Sequence, residues 1–336
     1  MYTFTIFPNL INKSNPYIQD FIDSLNKQEG FYVVNPPHKN PLLSILNKKH
    51  WGNIFIFNWF ESIPDFKYGI LQTIIAIFLI ISIKFRNKKI IWILHNKRPH
   101  ANRYKHAKIL LGKLIARFSD LIITHATDGI EVVKQNYPYA LYKTIFLHHP
   151  TKNRLSCISK FQQTPIYDLL IWGSITKYKG VIEFVKFLHS HPCIKYKVCI
   201  IGKCASTDIY KELTKSLPRG VSFIHEKVSF EELGKYISKT RFVLSPYFSE
   251  SILSSGILMD SLSFGAKIIG PNTGAFKDYA NEPRLKVYNF QSFNDIPNII
   301  TEHKDEKISI EEYELFLNEH NWEHFIKEII KLSRIN

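Results

Sequence analysis

The chain has 336 residues, of which 45% are hydrophobic and 22% charged, a composition that excludes wholesale disorder and predicts about two domains. Its four cysteines, Cys157, Cys193, Cys199 and Cys204, form no C-x-x-C pair, which argues against structural zinc and suits a reducing cytoplasm. The N-terminus has neither the charged region nor the cleavage site of a secretory signal, so we expect a cytoplasmic protein.

The net charge of +15 is concentrated in the first half of the chain. Residues 1–160 carry 22 Lys and Arg against 8 Asp and Glu, whereas residues 161–336 carry 22 against 21. Between Asp65 and Asp120 there are 12 Lys and Arg and no acidic residue. Such a surplus indicates an anionic partner, which is a membrane surface, an acidic substrate or nucleic acid. A surplus that only keeps the protein soluble is the alternative, but it does not explain the asymmetry.

Strand-like apolar runs alternate with amphipathic helical stretches in both halves, as in parallel sheets covered on both faces. The predicted strands are Tyr2–Phe7, Gly30–Val34, Ile54–Asn58, Ile90–Leu94, Leu121–Thr124, Thr144–Leu147, Tyr167–Trp172, Tyr196–Ile201, Val221–Ile224, Phe242–Ser245 and Lys267–Ile269. The predicted helices include His106–Phe118, Thr127–Gln135, Gly180–His189, Thr207–Leu217, Glu231–Lys239, Gly256–Phe264 and one helix over 309–334. Polar residues 151–165 predict a linker. The repeated pattern predicts an α/β protein of two doubly wound domains that face a cleft at the carboxyl ends of their strands.

The most hydrophobic stretch lies inside the acid-free segment. Gly69–Ile83 is uncharged, and Lys84, Arg86, Lys88 and Lys89 follow it. These fifteen residues cannot cross a bilayer core of ~30 Å as a helix. The sequence leaves two interpretations open, a buried core helix or a helix partly sunk in a membrane interface.

Neither a G-x-G-x-x-G nor a Walker A motif occurs, and no metal-ligand spacing is present. The first informative segment is Trp172–Gly180, where a strand ends in a turn that opens a helix. Gly173 allows a ligand to approach the backbone, and Lys177 and Lys179 place positive charge at the edge of the sheet, which suits a diphosphate. The alternative for this segment is a surface turn with solvated lysines.

A second segment leads from a strand into Ser254-Ser255-Gly256 and the helix that follows. The N-terminus of a helix binds anions through its free N–H groups and its dipole. Asp260 lies about one turn into this helix, where its carboxylate can accept hydrogen bonds from the two hydroxyls of a ribose. The alternative is that Ser254 only caps the helix.

Taken together, these segments resemble the donor half of GT-B glycosyltransferases of the family-4 type, closest to those that assemble bacterial capsule or exopolysaccharide. The resemblance extends through Asn15-Pro-Tyr17, Asn58-Trp-Phe-Glu61, Trp92-Ile-Leu-His-Asn96, His149-Pro150 and Asn321-Trp322, and so covers nearly the whole chain. It implies an acceptor-binding domain at 1–155, a donor-binding domain at 156–308, and a C-terminal helix at 309–336 that returns to the first domain.

The resemblance also implies a role for individual residues. Lys179, with Lys177, neutralises the diphosphate, which Ser255 and Gly256 cradle, while Asp260 holds the ribose. The backbone around Glu226–Val228, including Val228 itself, frames the base, and His95 faces the donor sugar across the cleft.

The chain departs from the family pattern at the E-x7-E pair, where it has Ile252 and Asp260. The first carboxylate normally grips the donor sugar, and Glu250 is the nearest substitute.

His95 follows a predicted strand and precedes the polar loop that begins at Asn96, which places its side chain at the ligand-binding edge of the sheet. The alternative is a satisfied histidine at a strand end. Asp128 is either a helix cap or the base of an inverting reaction. His100, His125 and His148 are weaker candidates.

These observations predict a metal-independent hexosyltransferase that moves a sugar from a UDP- or GDP-linked donor to a lipid-linked oligosaccharide in capsule, exopolysaccharide or O-antigen synthesis. We expect no cofactor, no metal site and no nucleic-acid partner, and peripheral binding to the anionic inner face of the cytoplasmic membrane. The alternatives are a GT-B-fold nucleotide-sugar epimerase, a nucleic-acid or membrane-binding protein without activity, and a degenerate paralogue.

Overall fold

The computed structural model of the chain describes residues 2–11, 16–97, 104–159, 165–247 and 252–334. In chain order, the strands of these residues are β1 Tyr2–Phe7, β2 Phe31–Val33, β3 Ile54–Asn58, β4 Lys89–Leu94, β5 Leu121–Thr124, β6 Thr144–Phe146, β7 Tyr167–Trp172, β8 Val198–Ile201, β9 Val221–Ile224, β10 Thr240–Leu244, β11 Ile268–Pro271 and β12 Val287–Phe290. The α-helices are α1 Pro16–Asn26, α2 Pro41–Leu46, α3 Gly69–Phe85, α4 Lys105–Phe118, α5 Asp128–Asn136, α6 Leu155–Ser159, α7 Val181–Ser190, α8 Thr207–Thr214, α9 Phe230–Ile237, α10 Gly256–Ser263, α11 Gly274–Ala280, α12 Ile296–His303, α13 Ile310–Glu319 and α14 Trp322–Arg334.

The chain divides into two compact units, one formed by Met1–His149 with Trp322–Asn336 and the other by Pro150–Asn321. Each unit is a doubly wound α/β fold around a parallel sheet of six strands, as the repeated βα pattern predicts. The strand order is β2-β1-β3-β4-β5-β6 in unit 1 and β12-β11-β10-β7-β8-β9 in unit 2. In such sheets ligands bind at the carboxyl ends of the strands, where the strand order reverses.

One face of the unit 1 sheet packs against the helices α1 and α14. The inward side chains of β1, β3, β4 and β5 pack against one face of α14, which carries Trp322, Phe325, Ile326, Ile329 and Ile330. The C-terminal helix therefore belongs to the same fold as the N-terminal strand, because this apolar face completes the core of unit 1.

The C-terminal segment differs from the single helix predicted over 309–334. The structure has two helices, and the first, α13, belongs to unit 2, where Tyr313, Phe316 and Leu317 are buried. The Tyr313 hydroxyl donates to the carbonyl of Ala266 at 3.1 Å, which ties α13 to the start of β11. Only α14 returns to unit 1.

Residues 150–155 also differ from the prediction, since they belong to unit 2 rather than to the first domain. Arg154 explains this difference, because its guanidinium donates to Asp260 at 3.2 Å and to Ser263 at 2.9 Å. The predicted linker contains a short helix, α6, and residues 160–164 lie outside the described residues.

Strand β12 is missing from the predicted elements. It pairs with β11 at the edge of the sheet, and its pattern is only partly buried. An edge strand of four residues that is half covered lacks the continuous apolar run that identifies a central parallel strand.

The apolar run at Gly69–Ile83 forms most of α3, which is neither wholly buried nor wholly exposed. One face of α3, which includes Ala76, Ile80 and Ile83, is buried, whereas Leu71 and Phe78 on the other face are exposed. No helix in the described part of the chain combines the length and the apolar character needed to cross a membrane.

Candidate functional site

The strand order of unit 2 reverses between β7 and β10, and the segments after these two strands lie at the same edge of the sheet. Gly173 follows β7 with φ of 95°, and Gly180 has φ of 67°, both in the left-handed region that favours glycine. A Cβ atom at Gly180 would lie 1.9 Å from the carbonyl oxygen of Pro246, so the turn after β7 packs directly on the end of β10.

Lys179 lies in this turn and is buried, with 8% of its surface exposed. Its ammonium donates to the Ser174 hydroxyl at 3.2 Å, and no carboxylate of the described residues contacts it. Burial lowers the pKa of Lys179 to about 8, because desolvation disfavours the charged form. A buried cation without an acidic partner is costly, and an anionic ligand would relieve that cost.

Ser245 at the end of β10 lines the same small cavity as Gly173 and Lys179. Its hydroxyl is buried without a hydrogen-bond partner among the described residues. Ile257, in the first turn of α10, also lines the cavity. An ammonium, an unpartnered hydroxyl and the start of a helix therefore meet at the edge where the strand order reverses.

The N-terminus of α10 begins at Ser255, which is the N-cap and accepts a hydrogen bond from the amide of Leu258 at 3.3 Å. The capping residue is thus Ser255 rather than Ser254, which is half-buried. A Cβ atom at Gly256 would meet no described atom within 4 Å, so the first amides of α10 border open space. These amides lack intrahelical acceptors and carry the positive end of the helix dipole.

Asp260 forms an ion pair with Arg154 at 3.2 Å. Arg154 also stacks over the ring of Phe230, with 4.1 Å between the guanidinium carbon and the ring centroid. The carboxylate predicted to hold a ribose is therefore oriented by a cation that the sequence analysis did not single out.

The remaining predicted donor residues lie farther from the cavity or outside the described residues. Lys177 is exposed and does not line the cavity. Glu226 is exposed and Val228 half-buried in the loop after the edge strand β9. Glu250 lies outside the described residues, and Ile252, at the first position of the carboxylate pair, is buried.

In unit 1, His95 follows β4 and is buried, with 3% of its surface exposed. It stacks on Trp59, with 4.0 Å between the ring centroids, and its Nε2 lies 2.9 Å from Oδ1 of Asn58. The Asn58 amide nitrogen donates to the carbonyl of Phe7 at 3.1 Å, so Oδ1 faces the imidazole. Because that oxygen only accepts, Nε2 carries the proton of neutral His95.

His95 lies in a buried group of aromatic side chains, which we call the imidazole cluster. It consists of three histidines, His95, His125 and His149, and of Tyr17. Nδ1 of His125 donates to the carbonyl of Leu147 at 2.9 Å, so its Nε2 accepts from the Tyr17 hydroxyl, also at 2.9 Å. Burial, and then the neighbouring imidazoles, lower the pKa of His95 and His125 well below the usual range. His95 and His125 are therefore neutral, and the buried position of His95 differs from the open position predicted for it.

Asp128 begins α5, and its Oδ2 lies 2.6 Å from the ammonium of Lys97, which comes shortly after His95 in the chain. His148 packs edge-on against Phe146, with 4.7 Å between the ring centroids, and His100 lies outside the described residues. Within the described ranges, no group of three His, Cys, Asp or Glu side chains is placed to hold a metal ion.

Sequence reasoning did not identify Tyr17, Asn58 and Arg154 as site residues. Asn58 and Tyr17 belong to segments that carry the family resemblance. The local sequence does not show which histidine each of these side chains contacts. Ser245 carried a clearer signal, because it ends the predicted strand Phe242–Ser245 at the edge of the sheet where ligands bind.

Comparison with solved structures identifies the class of fold. Anabaena HepE, solved in complex with UDP-glucose, matches with a TM-score of 0.69 and 12% identity over 98% of this chain and 100% of that one. WaaB, a lipopolysaccharide outer core galactosyltransferase, matches with a TM-score of 0.66 and 11% identity over 98% and 99%. AviGT4, a glycosyltransferase involved in avilamycin A biosynthesis, matches with a TM-score of 0.60 and 11% identity over 99% and 97%.

These matches cover both units, and the fold is the GT-B fold that the sequence resemblance predicted. No family model matches the chain, and no curated protein matches its sequence. The structural likeness, at these identities, concerns the fold.

Proposed function

We propose that this protein is a glycosyltransferase that uses a nucleotide-diphosphate sugar, with a UDP-linked hexose as the favoured donor. The observation that carries this proposal is the buried Lys179 ammonium, which has no carboxylate partner among the described residues and lies where the unit 2 strand order reverses. The choice of UDP is supported by the GT-B fold and by the structures of HepE with UDP and with UDP-glucose.

In the proposed reaction, the diphosphate leaves from the anomeric carbon of the donor sugar and gains negative charge. Lys179 and the first amides of α10 are placed to stabilise that charge, since preorganised donors and a cation act most strongly where water is excluded. We propose that this neutralisation does not require a metal ion. Ser245 supplies a further hydroxyl donor, and Asp260 accepts from the ribose.

We propose His95 as the unit 1 residue that acts on sugar transfer. Its neutral state, its fixed tautomer and its place at the end of β4 support this role. For the acceptor we propose a lipid-linked oligosaccharide in capsule, exopolysaccharide or O-antigen assembly at the inner face of the membrane. The basic surface of unit 1 supports this choice, because such an acceptor carries phosphate.

The proposed donor site is tested by calorimetric titration of the wild type and of Lys179→Met with UDP, GDP and dTDP. We expect the wild type to bind UDP, and the variant to bind it about 10- to 100-fold more weakly, which is the usual value of a charged hydrogen bond at ~1.5–3 kcal/mol. Lys215→Met, which removes an exposed lysine of the same unit, is the matched control and should bind as the wild type does.

Two outcomes would contradict the proposal. The first is a wild type that binds no nucleoside diphosphate and releases none from its sugar conjugate. The second is unchanged affinity in a folded Lys179→Met variant, which would remove Lys179 from the site.

A further inference from the structure

Unit 1 exposes an unusual amount of apolar surface on one helix. Of the large apolar side chains that are exposed in the described residues, eight lie between 68 and 110. On α3 they are Ile70, Leu71, Ile74, Phe78 and Phe85, which we call the apolar stripe. At 100° per residue these positions fall within one third of the helix circumference, so they share a single face.

The opposite face of α3 holds the helix on unit 1. Thr73, Ala76, Leu79, Ile80 and Ile83 are buried on that side. The apolar stripe is therefore not a core face of unit 1, whose core side of the helix is already filled. Phe78 and Phe85 are 65% and 84% exposed. Together with their neighbours they form a continuous apolar patch, which marks an interaction surface, unlike single apolar residues scattered over a surface.

Helix α4 continues this surface. It packs beside α3, because the two helices connect neighbouring parallel strands in the same direction and so lie on one side of the sheet. Lys105, Ile109 and Lys113 form an exposed row at intervals of four residues, in which an apolar side chain stands between two cations.

The charges around the stripe have one sign. Lys67 precedes α3 and Arg86 follows it, and both are exposed. The acidic residues that border this segment are already paired, Asp65 with Lys108 at 2.6 Å and Asp120 with Lys84 at 2.8 Å. The remaining exposed cations therefore face solvent around an apolar helix face.

We infer that α3 docks unit 1 on an anionic lipid bilayer, with the apolar stripe at the acyl boundary and the flanking cations at the lipid phosphates. Apolar side chains framed by Lys and Arg are the pattern of helices that lie in the plane of an interface. Each exposed cation adds attraction to an anionic leaflet, and that attraction weakens with salt. The inference does not rest on the proposed activity, since lipid binding requires neither a sugar donor nor an acceptor.

The test is flotation of the full chain with vesicles of phosphatidylcholine alone and of phosphatidylcholine mixed with phosphatidylglycerol. We expect the wild type to float with the mixed vesicles, and Leu71→Ser/Phe78→Ser to bind them roughly tenfold more weakly or worse. Leu315→Ser, which removes an exposed leucine from α13 of unit 2, is the matched control and should bind as the wild type does. Lys105→Glu/Lys113→Glu should lose the preference for the anionic lipid.

Tryptophan fluorescence tests independently whether the apolar stripe enters the bilayer. On binding to vesicles, the tryptophan emission of a Phe78→Trp variant should shift to the blue relative to that of the wild type, and brominated acyl chains should quench it. A Leu315→Trp variant should show neither effect. The inference would be overturned if the wild type floated equally with both vesicle types. It would also be overturned if Leu71→Ser/Phe78→Ser floated with the mixed vesicles as well as the wild type does. A chain that floats with neither vesicle but forms dimers that these two serine substitutions dissociate would assign the stripe to a second copy, and would also overturn it.

Discussion

The buried polar groups at the carboxyl edges of the two sheets differ in how their charges and hydrogen bonds are satisfied. At the edge of unit 1, His95 and His125 are neutral, and each donates to a fixed oxygen acceptor. At the edge of unit 2, Lys179 is a buried cation that contacts one hydroxyl and no carboxylate of the described residues. The first arrangement is complete within its own unit, whereas the second lacks a counter-charge. This difference supports the proposal that the anionic part of a ligand binds at unit 2.

The largest expected effect concerns His95. If His95 acts on sugar transfer as proposed, His95→Ala should lower transfer about 10²–10³-fold, because it removes a preorganised hydrogen-bonding group. UDP affinity should stay unchanged, because the residues proposed to bind the nucleotide belong to unit 2. The variant also leaves a cavity beside Trp59, so its melting temperature must be measured first. His189→Ala, at an exposed histidine of unit 2, is the control. Transfer at the wild-type rate in the folded variant would make His95 a purely structural residue.

The second prediction concerns acid stability in unit 1. The lowered pKa values of His95 and His125 mean that the unfolded chain binds protons below pH ~6.5 that the folded chain refuses, so stability falls as pH falls. Burial of Glu61 raises its pKa to about 7, which has the opposite sign between pH ~4.5 and ~6.5. Two histidines oppose one carboxyl, so stability should on balance fall as pH falls from 6.5 to 5.

Urea unfolding followed by tryptophan fluorescence measures this slope, because four of the five tryptophans belong to unit 1. Between pH 5 and 6.5, His125→Gln should flatten the dependence of stability on pH, and Glu61→Gln should steepen it. Parallel slopes in both variants would show that these buried groups titrate in the folded state as they do in the unfolded chain.

The third prediction tests the missing counter-charge in unit 2. With a pKa of about 8, Lys179 loses its proton above that pH in the free protein, so UDP affinity should fall up to ~10-fold per pH unit there. Calorimetry in buffers of different ionisation enthalpy should detect proton uptake on binding. Lys179→Arg should bind UDP without this pH dependence. Equal proton uptake in Lys179→Arg and the wild type would assign the titration to another group.

The smallest expected effect concerns Asp260. If its carboxylate accepts from the ribose, Asp260→Asn should reduce the preference for UDP over 2′-deoxy-UDP by about 1 kcal/mol, or roughly fivefold. Asp305→Asn, at an exposed carboxylate of the same unit, is the control. A lower melting temperature with an unchanged preference would restrict Asp260 to its ion pair with Arg154.

The sequence alone determined the class of fold and the order of most strands, because parallel strands covered on both faces leave continuous apolar runs that need no partner to be recognised. It also pointed to Gly173, Lys179 and the start of α10, which the structure brings to one small cavity, because each of these segments follows a predicted strand end.

The tertiary structure alone decided which side chains face one another. The pairing of Arg154 with Asp260 joins residues 106 positions apart, and the contact of Tyr17 with His125 joins residues 108 apart. No local pattern encodes such pairs, because they depend on where two strand ends arrive in the folded sheet. The same reason applies to α3. Its composition marked it as apolar, but only the packing of Ala76 and Ile83 beneath it showed that Leu71 and Phe78 remain on the surface.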